Sequence, residues 1–180
     1  RPIDINGHAL IYAGAQKNIG AAGVNLVIVK KNILGNVSRK LPGMMDYRNH
    51  IKEGSMLNTP PVFAVYVCML TLRWLKALGG VAVVEKLNNE KAALLYAAID
   101  ENPLFTGTAN KEDRSKMNVC FVMKDPSLEK DFLDYTISHG IIGIKGHRSV
   151  GGFRASLYNA LPLNSVQVLI NAMQSFAKNH

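Results

Sequence analysis

The sequence predicts an α/β fold, and three observations carry that prediction. Two short β-branched runs near the start, residues 9–13 and 23–29, are bounded by glycine and read as strands. Two long runs with helical spacing follow at 62–77 and 81–102. Beyond residue 117, short extended segments alternate with helical ones, the pattern of a small sheet with helices laid on it.

Each element has a local reason. Ala9-Leu-Ile-Tyr-Ala13 and Gly23-Val-Asn-Leu-Val-Ile-Val29 are the first two strands, with a turn between them. Residues 36–57 form a long connection rich in Gly, Arg, Lys and Met with little periodicity, and long ordered loops tend to be functional. In Asn58-Thr-Pro-Pro61, Thr59 is an expected N-cap and Pro60 an expected first helical residue. Residues 62–77 then form an apolar helix expected to be buried, ended by Gly79-Gly80. The helix over 81–102 should turn Val81, Val84, Leu87, Leu94 and Leu95 inward, with Glu85, Lys86, Glu90 and Lys91 solvated. A domain boundary is expected near Gly79, giving 1–79 and 80–180.

The remainder predicts a strand over 117–123 and a helix capped by Asp125 or Ser127 that ends at Gly140. Short strands follow over 141–145 and 153–158. In the last of these Phe153, Ala155 and Leu157 share one face, and Arg154, Ser156 and Tyr158 the other. Asn164 is the expected cap of a final helix with Val166, Leu169, Ile170, Met173 and Phe176 inward.

Bulk properties limit the function. The chain has 180 residues, 48% hydrophobic and 19% charged, ordinary values for a folded protein. Net charge is +8 and pI about 9.6. The basic residues are scattered, however, and the tightest groups are Lys30-Lys31 and Arg39-Lys40, with no interleaved aromatics. A small-anion site or an acidic partner segment accounts for this better than nucleic acid. Cys68 and Cys120 lie in apolar runs and read as buried, reduced thiols of a cytoplasmic protein. Neither they nor the five histidines have ligand spacing, so no metal is expected. The longest apolar stretch, 62–72, is too short to span a bilayer. The chain opens on Arg1-Pro2 rather than Met, as expected of a fragment or processed piece.

Three segments could carry chemistry. Lys17 sits between the first two strands, where a lysine at a buried junction is costly without a partner or a task. A Schiff base with an aldehyde cofactor is one such task, and an ammonium reaching water from a hairpin end is the structural alternative. Asn58-Thr59, at a helix start, suits a phosphate or plain capping. Gly146-His-Arg-Ser-Val-Gly-Gly-Phe-Arg154 gathers His147, Arg148 and Arg154 among three glycines. Arginine forks match carboxylates and phosphates. Arg154, inside an otherwise apolar strand, would need a partner. A loop of solvated charges with one structural ion pair is the alternative.

Taken together and in this order, Ile11-Tyr-Ala-Gly-Ala-Gln-Lys-Asn-Ile-Gly20, Asn58-Thr-Pro-Pro61 and the segment from Gly146 through Arg154 to Ala160 resemble the phosphoserine aminotransferase family. That family lies in the class-V branch of the fold-type-I pyridoxal-phosphate enzymes. The resemblance extends through Arg73-Trp-Leu-Lys76 and the stretch from Glu85 to Lys91.

The resemblance implies a role for each segment. Lys17 would carry pyridoxal 5'-phosphate as a Schiff base and move a proton as base and acid. Gln16 would lie near the cofactor phosphate, which Asn58 and Thr59 would bind across a homodimer interface. His147 and Arg148 would contribute to a pocket for the substrate phosphate, and Arg154 would clamp the α-carboxylate. The reaction would be ping-pong amino transfer from glutamate to 3-phosphohydroxypyruvate in serine biosynthesis, with a pyridoxine-pathway substrate in some bacteria.

Only the C-terminal half of the family pattern is matched. Residues 1–79 would close a large cofactor domain whose sheet is incomplete here, and 80–180 would be the small α/β domain. The cofactor-stacking aromatic, the Gly/Arg phosphate loop, a substrate arginine and the pyridine-pairing Asp would lie upstream. The isolated chain is therefore expected to be inactive, and Ala21-Ala22 replace a frequent proline. Two further readings are a non-catalytic C-terminal or dimerisation module and a cysteine desulfurase. The latter needs a cysteine on an exposed loop, where neither Cys68 nor Cys120 is expected.

Overall fold

A computed structural model describes residues 1–148 and 151–180. They form two compact units, Arg1–Val81 and Ala82–His180.

In the first unit, β1 (Leu10–Gly14) pairs antiparallel with β2 (Asn25–Val29), Leu10 opposite Val29 and Gly14 opposite Asn25. The long connection is more ordered than its composition suggests. It contains α1 (Tyr47–Lys52), capped by Asp46, whose side chain accepts from the Arg48 N–H. Helix α2 (Val62–Ala77) covers the expected range, but its entry differs from the expected one. Thr59 is not its cap: Pro61 holds that position, with no side-chain cap bond. The reason is steric, because a residue before proline is pushed out of the helical region and both Thr59 and Pro60 precede one.

Helix α2 is also not buried. Only Ala64 and Cys68 are, while Val62 and Phe63 are 70% and 77% exposed. Tyr66, Leu70, Leu72 and Trp74 are exposed as well. The two-stranded sheet leaves Tyr12, Leu26 and Ile28 exposed. This unit therefore has little of a second layer against which to bury its apolar faces.

The second unit is a complete two-layer structure. Its sheet runs β3 (Phe105–Gly107), β4 (Asn118–Met123) and β5 (Phe153–Ser156), all antiparallel with β4 central. Helices α3 (Gly80–Glu101), α4 (Glu129–Ser138) and α5 (Leu163–Lys178) contribute to one buried cluster on one face. Phe105, Phe121, Phe132 and Phe153 are fully buried at its centre. Phe105–Phe132 and Phe132–Phe153 meet edge to face at 4.8 and 5.2 Å, and Phe176 of α5 joins Phe132 at 5.2 Å. Such ring pairs add about 0.5–1.5 kcal/mol each beyond area burial. The inward residues expected in the last strand and helix are all buried.

Several local expectations are corrected. No strand forms over 141–145. Gly140 and Gly143 take left-handed backbone (φ 74° and 78°), the Ile141 N–H bonds back to Thr136, and only Lys145 bridges Phe153. Strand β5 stops at Ser156. Asn164 is not a cap, since α5 begins at Leu163 after extended Pro162. Asp125 does cap, but it caps a 3-10 turn, Pro126–Leu128, that leads into α4. Cys120 is only half-buried because it points to the outer face of β4.

On α3 the buried stripe is Val84, Asn88, Lys91, Ala92, Leu95 and Ile99, whereas Val81, Leu87 and Leu94 are exposed. Lys91 is thus not solvated but 3% exposed. Its Nζ donates to the carbonyls of Leu157, Tyr158 and Leu161 at 3.4, 2.9 and 3.1 Å. Burial lowers its pKa below the ordinary lysine value.

Arg114 forms a bidentate pair with Asp100 at 2.7 and 2.8 Å and lies over the Tyr96 ring. The Arg114 hydrogen bonds hold the Asp100 carboxyl below the usual range. A lowered folded pKa stabilises above the unfolded value, about 3.9, and that gain is lost as pH falls through the folded value. Asp100→Asn is therefore expected to cost about 1–2 kcal/mol in urea unfolding at neutral pH, with the gap to the parent closing below about pH 4.

In this chain the amides of β1 and β2 are expected to exchange faster than those of β4, because their sheet has two strands and exposed faces. Slowest exchange within residues 9–29, read by hydrogen-exchange mass spectrometry, would contradict this.

Candidate functional site

The site residues fall into two groups, one in each unit. Lys17 follows β1 in the ten-residue connection to β2, and it is exposed. The premise of a lysine trapped between buried strands therefore does not hold, since β1 and β2 are only half-covered. What fixes the lysine is its backbone. The Ala15 N–H donates to Val24, and the Lys17 and Gly20 N–H groups both donate to the Ala15 carbonyl, at 2.6 and 2.7 Å. Ala15 itself is buried.

Gly20 lets this turn press onto α2. A Cβ there would lie 2.6 Å from Cys68 Sγ and 2.9 Å from Cys68 Cα, so no side chain fits. A Cβ on Gly23 would lie 3.9 Å from the Cβ atoms of Pro61 and Ala64. The connection that carries Gln16 and Lys17 thus meets the start of α2, just after Asn58 and Thr59. Gln16 and Thr59 are exposed, and the Asn58 amide donates to the Thr59 carbonyl at 3.1 Å. Here the chain offers an amine for an aldehyde and, from an amide and a hydroxyl, neutral donors for an anion.

In the second unit one hairpin carries the other group. The Arg154 N–H bonds to Ile144 and the Gly146 N–H to Gly152, both at 2.7 Å, and the Gly151 N–H bonds to His147 at 2.9 Å. His147 and Arg148 lie on the loop of this hairpin and Arg154 on its returning strand. The Ser149-Val150 part of the motif lies outside the described residues. Arg154 is exposed on the outer face of β5 opposite Cys120, so the expected cost of burying it does not arise. Alternation with buried Phe153 and Ala155 turns it outward. Arg148 and Arg154 supply guanidinium groups and His147 an imidazole, donors suited to phosphate and carboxylate groups.

Sequence reasoning passed over Asn88 and placed Lys91 in solvent, yet both hold the segment after β5. The signal was present: positions 84, 88, 91, 95 and 99 fall on one helical stripe, and two of them are polar. Among the described residues, no group of His, Cys, Asp and Glu could hold a metal ion. No single helix there is long and apolar enough to cross a membrane.

Comparison with known proteins gives the lineage. The class-V aminotransferase profile matches residues 1–169. The chain belongs to the class-V aminotransferase family. A phosphoserine aminotransferase of Porphyromonas gingivalis is 60% identical over the whole chain, which covers 51% of that protein. The solved phosphoserine aminotransferase of Bacillus circulans subsp. alkalophilus superposes with TM-score 0.94 at 41% identity, over 99% of this chain and 50% of that one. A pyridoxal-phosphate-bound phosphoserine aminotransferase of Trichomonas vaginalis gives 0.89 at 41%, over 97% and 50%. The chain spans about half the length of the curated relatives it matches. The α/β fold, with small open sheets, is that of this family's C-terminal half.

Gly146→Ala is expected to cost about 2 kcal/mol or more in unfolding free energy, since its Cβ would sit 2.0 Å from the Gly151 carbonyl oxygen. Denaturant titration of the variant checks this.

Proposed function

We propose that this chain is the C-terminal half of a phosphoserine aminotransferase. The full polypeptide would transfer the amino group of glutamate to 3-phosphohydroxypyruvate, giving phosphoserine and 2-oxoglutarate. The observation that carries the reading is the exposed Lys17 on a turn fixed by backbone hydrogen bonds to Ala15 and by the close approach of Gly20 to Cys68. The hairpin bearing His147, Arg148 and Arg154 supports it from the other. The identity with named phosphoserine aminotransferases along the whole chain supports the choice of substrate.

Pyridoxal 5'-phosphate supplies, when bound, the electron sink that lets an amino acid lose its Cα proton. Lys17 would hold the cofactor through its aldehyde, and its amine would serve as the general base and acid for the substrate Cα proton. Gln16 would donate a hydrogen bond to the phosphate of that cofactor, and Asn58 and Thr59 to the phosphate of the cofactor held by the partner subunit. His147 and Arg148 hold the substrate phosphate, and Arg154 takes the α-carboxylate with two parallel N–H bonds.

Residues 1–79 belong to the large cofactor domain and 80–180 to the small domain. The exposed apolar residues of α2 suit a homodimer, with Asn58 and Thr59 serving the partner's cofactor. We place the enzyme in the cytoplasm, in serine and pyridoxine biosynthesis, consistent with its free thiols. On this reading the 180 residues alone carry part of the site and are expected to be inactive.

Borohydride reduction of the full-length protein with pyridoxal phosphate should leave one adduct, on Lys17, detected by peptide mass. Lys17→Ala should abolish the adduct and lower 2-oxoglutarate production by about a thousandfold or more. Labelling spread over many lysines would refute the assignment.

A further inference from the structure

We propose that Lys91 is a positioning residue for Arg154, locking the segment on which β5 ends; this rests on the reading of Arg154 as a carboxylate-binding residue. Strand β5 is only four residues long. Strand β4 holds one side of it, reinforced by Ser156 Oγ donating to Asn118 Oδ1 at 3.1 Å. Its entry is held by the Ile144 and Gly152 carbonyls. After Leu157, whose N–H reaches the Met117 carbonyl at 2.7 Å, the chain turns sharply, with the Leu161 N–H bonding to Tyr158 at 2.9 Å.

That turn gathers the carbonyls of Leu157, Tyr158 and Leu161 around one point, and Lys91 Nζ sits there. Converging carbonyl dipoles repel one another unless a donor lies between them. A lysine has three N–H groups, one for each. One helical turn earlier, the Asn88 amide donates to Asn159 Oδ1 at 2.8 Å, so α3 grips the turn twice. Both grips come from residues 66–71 positions away in sequence. Arg154 lies three residues before the first gripped carbonyl, on an extended strand that passes displacement along its length. Freeing the turn shifts the guanidinium against its carboxylate, and a misplacement of this kind weakens substrate binding.

The test is steady-state kinetics of the full-length holoenzyme with phosphoserine. Lys91→Met keeps the apolar stem and removes all three donors. It should raise KM about tenfold with kcat changed less than about threefold, and Lys91→Arg should recover part of the loss. In a double-mutant cycle with Arg154→Gln the two losses should be clearly less than additive, since Lys91 acts through Arg154. Faster exchange of the Leu157 and Leu161 amides in Lys91→Met should accompany this. If Arg154→Gln raises KM but Lys91→Met only lowers Tm, or the two losses add, Lys91 is merely structural and the inference falls alone. If Arg154→Gln leaves KM unchanged, the carboxylate reading falls and takes this inference with it. Should Lys91→Met not fold, Lys91→Gln, which keeps an amide donor, carries the same comparison.

Discussion

Phe105, Phe121, Phe132 and Phe153 meet at the centre of the second unit and join all three strands to the helix that follows β4. The hairpin that carries the candidate anion-binding residues depends on that contact. Phe153 is anchored in the cluster, so its neighbour Arg154 has to face outward, because successive side chains of a strand alternate. Aromatic rings fix this direction better than aliphatic side chains of similar area, since edge-to-face geometry admits few alternative arrangements. The buried cluster thus sets the direction of the charge at Arg154.

The first unit works under a different constraint. Its sheet has two strands and its main helix buries little, yet its turns are specified closely. The turn that carries Lys17 is held by backbone bonds to Ala15 and by the close approach of Gly20 to Cys68. Local geometry is therefore fixed where the proposed chemistry resides, while wide apolar faces such as those of Phe63 and Tyr66 stay exposed. Faces of that size suit contact with further protein, in keeping with a chain that matches half the length of its relatives.

Much of the fold could be read from the sequence. Strands β1, β2 and β4 and the long helices follow from periodicity, and the inward face of α5 was legible residue by residue. The misreadings share physical causes. Thr59 looked like a cap, but consecutive prolines forbid helix before Val62. Residues 141–145 looked like a strand, but left-handed glycines at 140 and 143 break the extension. Strand β3 was too short to show a period. Lys17 and Arg154 were expected in buried surroundings that would demand a partner, and both proved exposed; Lys91 was expected in water and proved buried.

The motifs around Lys17, Asn58-Thr59 and Gly146–Arg154 are local strings of residues, so the sequence by itself determined the family and the class of fold and named the residues proposed for the site. Burial belongs to no single residue or short string; it depends on which distant segments come to lie on a face. Only the tertiary structure decided that α2 stays largely open, that Arg154 faces outward, and that the carbonyls at 157, 158 and 161 close around Lys91. A charge on a helical stripe can be solvated or enclosed with the same local sequence. The choice is made by the chain that returns to it some seventy residues later.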